Sequence, residues 1–465
     1  MRSAFITDDK LKEECGVVGI FSNSEETVSN LIHYGLYALQ HRGQESAGIA
    51  VSKDGVINYH KNMGLVSEVF SQEKLDELKG NTGIGHVRYS TTGQSLVANA
   101  QPLVVKYKNG SIALAHNGNL VNADSLREIL EDEGVIFQTT NDSEVVANLI
   151  ARYHKDGIEK AVKRVMEVLK GSYALVILTD NKLIGVRDNQ GIRPLCLGKI
   201  NDGYVLASES CALDTMGAEF VRDVEPGEMV IIDENGVQSI FNDKWCKKRL
   251  CIFEIIYFAR PDSKIDDIGV YEARKEAGKI LAREYPVEAD VVISVPDSGT
   301  SAAIGYAEES GIPYSIGLIK NKYVGRTFIQ PNQALREQGV RLKLNVLKEN
   351  IEGKRVVLVD DSIVRGTTSR RIVDMLKNAG AKEVHLRVSS PPVKYSCYFG
   401  IDTPNRRHLV GANKSTEEIK EMVNADSLGY LSEEGLVRST GKHEGFCTAC
   451  FSGDYPMEIP RERTE

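Results

Sequence analysis

Two rhythms of apolar and polar positions divide this chain. Over roughly its first half, short apolar runs rich in β-branched residues recur between glycines, at 16–21, 46–52, 82–91, 112–120, 173–179, 182–188, 204–210 and 228–233. Each predicts a strand. Between them, only 26–42 and 143–171 carry helical spacing, and the second should break near Gly157. Many strands with few helices between them predict antiparallel sheets covered by helices, because parallel neighbours need a long crossover.

The second half alternates differently. ADVVISVPDSGT (289–300) reads as a buried strand and loop, followed by a helix over 301–311 and a strand over 314–319. KRVVLVDDSIVRGTT (354–368) is strand then loop, 369–380 is a helix ending on Gly380, and 383–390 is the next strand. That alternation predicts a parallel α/β domain. The break between the rhythms falls within 230–260 and is placed at 245/246.

Composition adds limits. With 465 residues, 42% of them hydrophobic, the chain is too long for one ordinary domain and long enough for two cores. The net charge of −8, with no Lys/Arg stripe, argues against nucleic acid as a partner. No apolar run is long enough to span a membrane, and the first 14 residues lack the apolar centre of a secretory signal. A cytoplasmic enzyme is the expectation. Eight cysteines in such a chain point to free thiols, catalysis or metal rather than a disulfide scaffold.

VVLVDDSIVRGTTS (356–369) carries the most specific chemistry. An apolar strand stops at Asp360 and Asp361. A loop with Arg365 and Gly366 then runs into Thr367, Thr368 and Ser369 at the start of a helix. Small hydroxyl residues and a glycine at a helix N-terminus suit a phosphate. The carboxylates before them would repel bare phosphate but suit sugar hydroxyls or Mg²⁺. No GKS or GKT is present, so this is not a P-loop. The stretch resembles the phosphoribosyl pyrophosphate motif of type I phosphoribosyltransferases. By that resemblance, Asp360 and Asp361 hold the ribose hydroxyls and Arg365 to Ser369 surround the 5-phosphate. VPDSGTS (295–301) stands where the family has its pyrophosphate loop, with Ser298 as a Mg²⁺ or pyrophosphate contact, and 320–343 resembles the family's mobile lid.

Near the start, EECGVVGIF places Cys15 just before a strand. A free thiol is mostly protonated at neutral pH and needs a base. Were residues 1–14 removed, Cys15 would own an α-amine with a pKa of about 7.7–8.0, suited to that task. An ordinary buried cysteine is the bland alternative. CGVVGIF, LQHRGQESAGIA (39–50), GHVRYSTTG (85–93), LAHNGNLVN (114–122) and TTNDSE (139–144) follow in order and together resemble the class II glutamine amidotransferase domain, of the N-terminal-nucleophile hydrolase fold. The expected architecture is therefore α+β followed by α/β: an αββα sandwich over 15–245 after a prosequence over 1–14, then a parallel-sheet phosphoribosyltransferase domain over 246–465. Amide hydrolysis needs oxyanion donors, for which Asn117 and the N–H of Gly118 serve. Glutamine recognition needs a cation for its carboxylate and an anion for its amine, for which Arg88 and Asp142 fit. Arg42 and Gly43 are expected to shape this substrate pocket.

Cys447 and Cys450 form a lone CxxC, with Cys251 and Cys397 as possible partners from elsewhere. Cys196, Cys211 and Cys246 read as ordinary thiols. The two domains in this order resemble the glutamine phosphoribosyl pyrophosphate amidotransferase family. One of its branches carries a prosequence and a [4Fe–4S] cluster on four cysteines, at positions matched by Cys251, Cys397, Cys447 and Cys450. Structural zinc on the same cysteines stays open, because spacing alone does not separate the two. The resemblance implies transfer of glutamine nitrogen to phosphoribosyl pyrophosphate with Mg²⁺, at the first committed step of purine synthesis. It also implies inhibition by purine nucleotides (AMP, GMP, ADP, GDP) and a homotetramer. Another class II amidotransferase would share only the first half. A nucleotide-binding regulator of transcription is the non-enzymatic rival.

Overall fold

The computed structural model describes residues 15–23, 28–89, 95–242, 247–321 and 344–460. The expected prosequence, Cys246 and all of the expected lid but Lys320 and Asn321 lie outside the described residues.

Two antiparallel sheets form the first half. One has seven strands, in the order Glu219–Asp223, Cys196–Ile200, Gly203–Ala207, Gly16–Phe21, Thr82–Arg88, Ser46–Lys53 and Val56–Met63. The other has six: Gly236–Phe241, Glu228–Asp233, Leu183–Arg187, Gly171–Leu178, Gly110–Leu120 and Leu103–Tyr107. Successive side chains of a strand point to opposite faces. Accordingly, Val17 and Phe21 pack between the sheets with Ala113 and Val176. Val18 and Ile20 face Ile32 and Leu36 of the helix Val28–Ala38. Burial on both faces is why this strand reads as an unbroken apolar run. Gly19 lets the sheets close up, since a Cβ there would lie 2.6 Å from Val176 Cγ1. On the far side, Ser143–Tyr153 and Ile158–Val168 cover the six-stranded sheet, parted at Gly157 (φ 96°) as expected. The layers run helix, sheet, sheet, helix.

In the second half, Val291–Ser294, Arg355–Asp360, Glu383–Val388 and Ser427–Tyr430 form a parallel sheet in that order. The helices Val270–Glu284 and Thr300–Ser310 touch backbone to backbone: a Cβ on Gly278 would fall 1.9 Å from the Ala302 carbonyl oxygen, and one on Gly305 1.8 Å from that of Lys275. The strand expected over 314–319 is not formed as a unit. Tyr314 makes a single parallel bridge to Val292, and Leu318–Lys320 turns away to pair with Leu344–Val346. Ile316 and Ile319 are 55% and 46% exposed, so the apolar run there does not mark a buried strand. The charged residues of Val270–Glu284 hide its helical spacing, so the sequence predicts neither that helix nor the strand Ser427–Tyr430.

Candidate active site

Cys15 is half-buried, immediately before the strand Gly16–Phe21, with its thiol 3.5 Å from the Tyr89 carbonyl oxygen. Burial pushes the thiol up to about 11, and the positive charge of Arg88 offsets this only in part, while Asp142 and Glu45 add to it. Those three charges act on Cys15 because the fold gathers them. Arg88 ends the neighbouring strand Thr82–Arg88 and donates to Glu45 Oε1 at 2.6 Å. Asp142 stands just before the helix Ser143–Tyr153. Burial by itself would raise the Asp142 carboxyl, but His116 and the N–H groups of Leu120 and Ser143 hold it below the usual range.

Asn117 and Gly118 sit in mid-strand opposite Ala174 and Tyr173, not in a turn. Gly118 has φ 143°, and a Cβ there would meet the Ser172 carbonyl oxygen at 2.1 Å, so only glycine fits. The Asn117 side chain is fully buried, yet neither its amide nitrogen nor its oxygen has a hydrogen-bond partner among the described residues. An unsatisfied buried polar group costs about 1–3 kcal/mol. Here it supplies a donor free to meet a ligand. Gly43 lets its loop lie on Arg88, since a Cβ would come within 2.7 Å of the Val87 and Arg88 backbone. The Arg42 guanidinium is fully buried and paired with Glu209 and Glu254, and its side chain lies behind Gly16, the residue after Cys15. Burial alone would favour its neutral form, but the two carboxylates keep it charged.

Asp360 ends the parallel strand Arg355–Asp360, and both it and Asp361 are buried. Asp361 accepts hydrogen bonds from Ser362 Oγ at 2.7 Å and from Ser298 Oγ, across from the loop after Val291–Ser294. The structure therefore brings Ser298 and the aspartates together. Gly366 (φ 81°) turns the chain into the helix Thr367–Asn378, which starts two residues before the predicted 369. A helix's first N–H groups lack intrahelical acceptors, so Thr367, Thr368 and buried Ser369 present an anion-ready end beside the carboxylates. Arg365 lies half-buried in the same loop.

The four candidate cluster cysteines also converge. Cys251 and Cys447 face each other in a two-residue parallel ladder, Leu250–Cys251 with Phe446–Cys447. Cys397 and Cys450 pack in the same apolar cluster. None is in a disulfide. Burial, then proximity to the other three thiols, pushes Cys450 well above its ordinary value, and burial pushes Cys447 up to about 12. No three His, Cys, Asp or Glu side chains among the described residues are drawn together tightly enough to hold one metal ion.

Residues 86–215 match the glutamine amidotransferase domain family and 265–392 the phosphoribosyl transferase domain family. Amidophosphoribosyltransferase of Archaeoglobus fulgidus is 56% identical over 97% of this chain and 100% of its own length. That of Bacillus subtilis is 53% identical over 97% and 95%. The chain belongs to the amidophosphoribosyltransferase family. The solved structure of the B. subtilis glutamine phosphoribosylpyrophosphate amidotransferase, complexed with ADP and GMP, superposes with a TM-score of 0.91 at 52% identity, covering 96% of this chain and 98% of that one. The chain is thus a glutamine amidotransferase joined to a pentosyltransferase, acting at the first step of purine biosynthesis. Among the described residues no helix is long and apolar enough to cross a membrane.

Sequence reading missed the buried charges around Arg42. Glu209, Glu254 and Arg193 are each at most 1% exposed. The signal was present in CIFEIIYF, where one glutamate interrupts an apolar run, since a fully buried carboxylate needs a partner.

Proposed function

We propose that the two sites act in series within one chain. The Cys15 thiolate attacks the glutamine amide carbon, and the Asn117 amide and Gly118 N–H stabilise the resulting oxyanion. Arg88 and Asp142 hold the α-carboxylate and α-amine. Water releases glutamate from the cysteine. The freed ammonia attacks C1 of phosphoribosyl pyrophosphate, giving 5-phosphoribosylamine and pyrophosphate. Asp360 and Asp361 hold the ribose hydroxyls, and Arg365, Gly366, Thr367, Thr368 and Ser369 hold the 5-phosphate. The base for Cys15 is its own α-amine, exposed by removal of residues 1–14. The high thiol value supports this, because so weak an acid needs a neighbouring base.

Two resident groups fit the side chains. Mg²⁺ suits the hard oxygens of Ser298, Asp360 and Asp361, where it would neutralise the departing pyrophosphate. A [4Fe–4S] cluster suits the four convergent thiols Cys251, Cys397, Cys447 and Cys450, where it would tie the strand after the first half to the C-terminal segment. Purine nucleotides carry the same ribose phosphate as the substrate and inhibit by occupying its site, in keeping with the ADP and GMP held by the B. subtilis relative. A homotetramer is the assembly proposed, testable by sedimentation.

The observation that carries this reading is the meeting of Ser298 with the Asp360–Asp361 pair beside a glycine-led helix N-terminus, in the same chain as a half-buried Cys15 thiol and a buried Asn117 amide with no hydrogen-bond partner among the described residues. Equal release of glutamate and pyrophosphate, dependent on both substrates together, is the expected assay result. Glutamate release with no pyrophosphate under any condition would overturn it.

A further inference from the structure

The glutaminase pocket is built in the first half of the chain, yet the residues around it are anchored on the second. On the nucleophile side, Arg42 packs against Gly16, next to Cys15, and is paired with Glu254 of the second half through Nη2 at 2.5 Å. On the oxyanion side, Ser172 Oγ accepts from the backbone N–H of Asn119 at 3.2 Å and donates to the Phe399 carbonyl at 2.6 Å. The next residue, Gly400, lies against Gly118 closely enough that a Cβ would come within 3.3 Å of the Gly118 carbonyl carbon. Arg193 closes the loop. Its Nε and Nη2 also donate to the Phe399 carbonyl, while its Nη1 lies 3.5 Å from Glu254 Oε1. Glu254, Arg193 and Ser172 are each 0% exposed.

We propose that Glu254, Arg193, the Phe399 carbonyl and Ser172 form an interdomain frame that sets the separation of the Cys15 nucleophile from its oxyanion donors. Glu254 and Ser172 are then positioning residues for glutamine hydrolysis, touching neither substrate. The geometry explains the otherwise costly burial of two arginines on one carboxylate. It also explains why three donors converge on a single loop carbonyl. A displacement of about 1 Å between reacting groups is enough to cost a hundredfold in rate. Removing one strut should therefore lower turnover with glutamine while leaving ribose transfer from ammonia intact. The inference rests on Cys15 and Asn117–Gly118 acting as proposed above.

The experiment compares Ser172→Ala and Glu254→Gln full-length enzyme with the unsubstituted protein, using glutamine or ammonium as nitrogen source. The frame predicts a fall of tenfold or more in kcat with glutamine, a glutamine KM within twofold, and an ammonium-dependent rate within twofold. Parallel loss with both nitrogen sources, a raised KM with kcat intact, or no change at all would each overturn it. If Glu254→Gln fails to fold, Ser172→Ala decides alone, since it removes a single oxygen. Cys15→Ala run alongside separates the two levels of the argument. Glutamine use surviving in that variant would refute the nucleophile itself. Its loss there, with Ser172→Ala unaffected, would refute only the frame.

Discussion

Removing residues 1–14 changes the proton chemistry of Cys15, and the size of the change follows from its surroundings. Burial lifts the thiol from 9.0 to about 11. At pH 8 that lowers the thiolate fraction from about one in ten to about one in a thousand, a hundredfold loss of nucleophile. A free α-amine on Cys15, with a pKa of about 7.7–8.0, restores the rate by accepting the proton during attack. The assay is inactivation by a glutamine-like electrophile over pH 6–10, on protein beginning at Met1 and on protein beginning at Cys15. The processed form should gain reactivity through pH 7–8 and then level off. The unprocessed form should be slower by about two orders of magnitude at pH 8 and should keep rising toward pH 10, because its thiol is still titrating. Superposable profiles for the two forms would refute the α-amine as base.

Other expectations follow from the same geometry. Gly118→Ala should abolish glutamine use and lower stability by about 1–3 kcal/mol, read by thermal unfolding, because a Cβ at φ 143° runs into the Ser172 carbonyl. Asp361→Ala should raise the KM for phosphoribosyl pyrophosphate at least tenfold with either nitrogen source while a low basal glutamine hydrolysis persists, and unchanged KM values would remove Asp361 from the ribose site. Cys447→Ser, or oxygen exposure, should cause loss of iron and sulfide together with unfolding or aggregation, whereas stable, fully active protein without iron would contradict a structural cluster. Inhibition by AMP or GMP should weaken as phosphoribosyl pyrophosphate rises, and a purely noncompetitive pattern would point to a different site.

Residues whose chemistry is local were legible in the sequence. The run at 16–21 is apolar throughout because both its faces are buried, and it was readable as a strand. Asp360, Asp361 and the Thr367–Ser369 cluster lie within ten residues of each other, so the order strand, carboxylates, helix start survived without a structure. The edge strands of the two antiparallel sheets are hidden: Val56–Met63 lies at the rim of its sheet with no residue buried, and its polar residues obscure the pattern. Charged positions on the exposed side of Val270–Glu284 hid that helix in the same way. The motif around Arg42 does not reveal that its charge pairs with Glu254, 212 residues away. Nor could any local pattern reveal that Phe399 would lie on Ser172, 227 residues earlier in the chain. Such contacts depend on how the two halves dock, and neither half encodes that separately.

The central claim is that one chain holds two sites whose chemical steps are independent and share only the ammonia passed between them. Pyrophosphate release by Cys15→Ala protein, with glutamine or with ammonium at mildly alkaline pH, tests it most directly. The account predicts no release with glutamine and a near-native rate with ammonium. Continued use of glutamine, or a correctly folded variant inactive with ammonium, would contradict it.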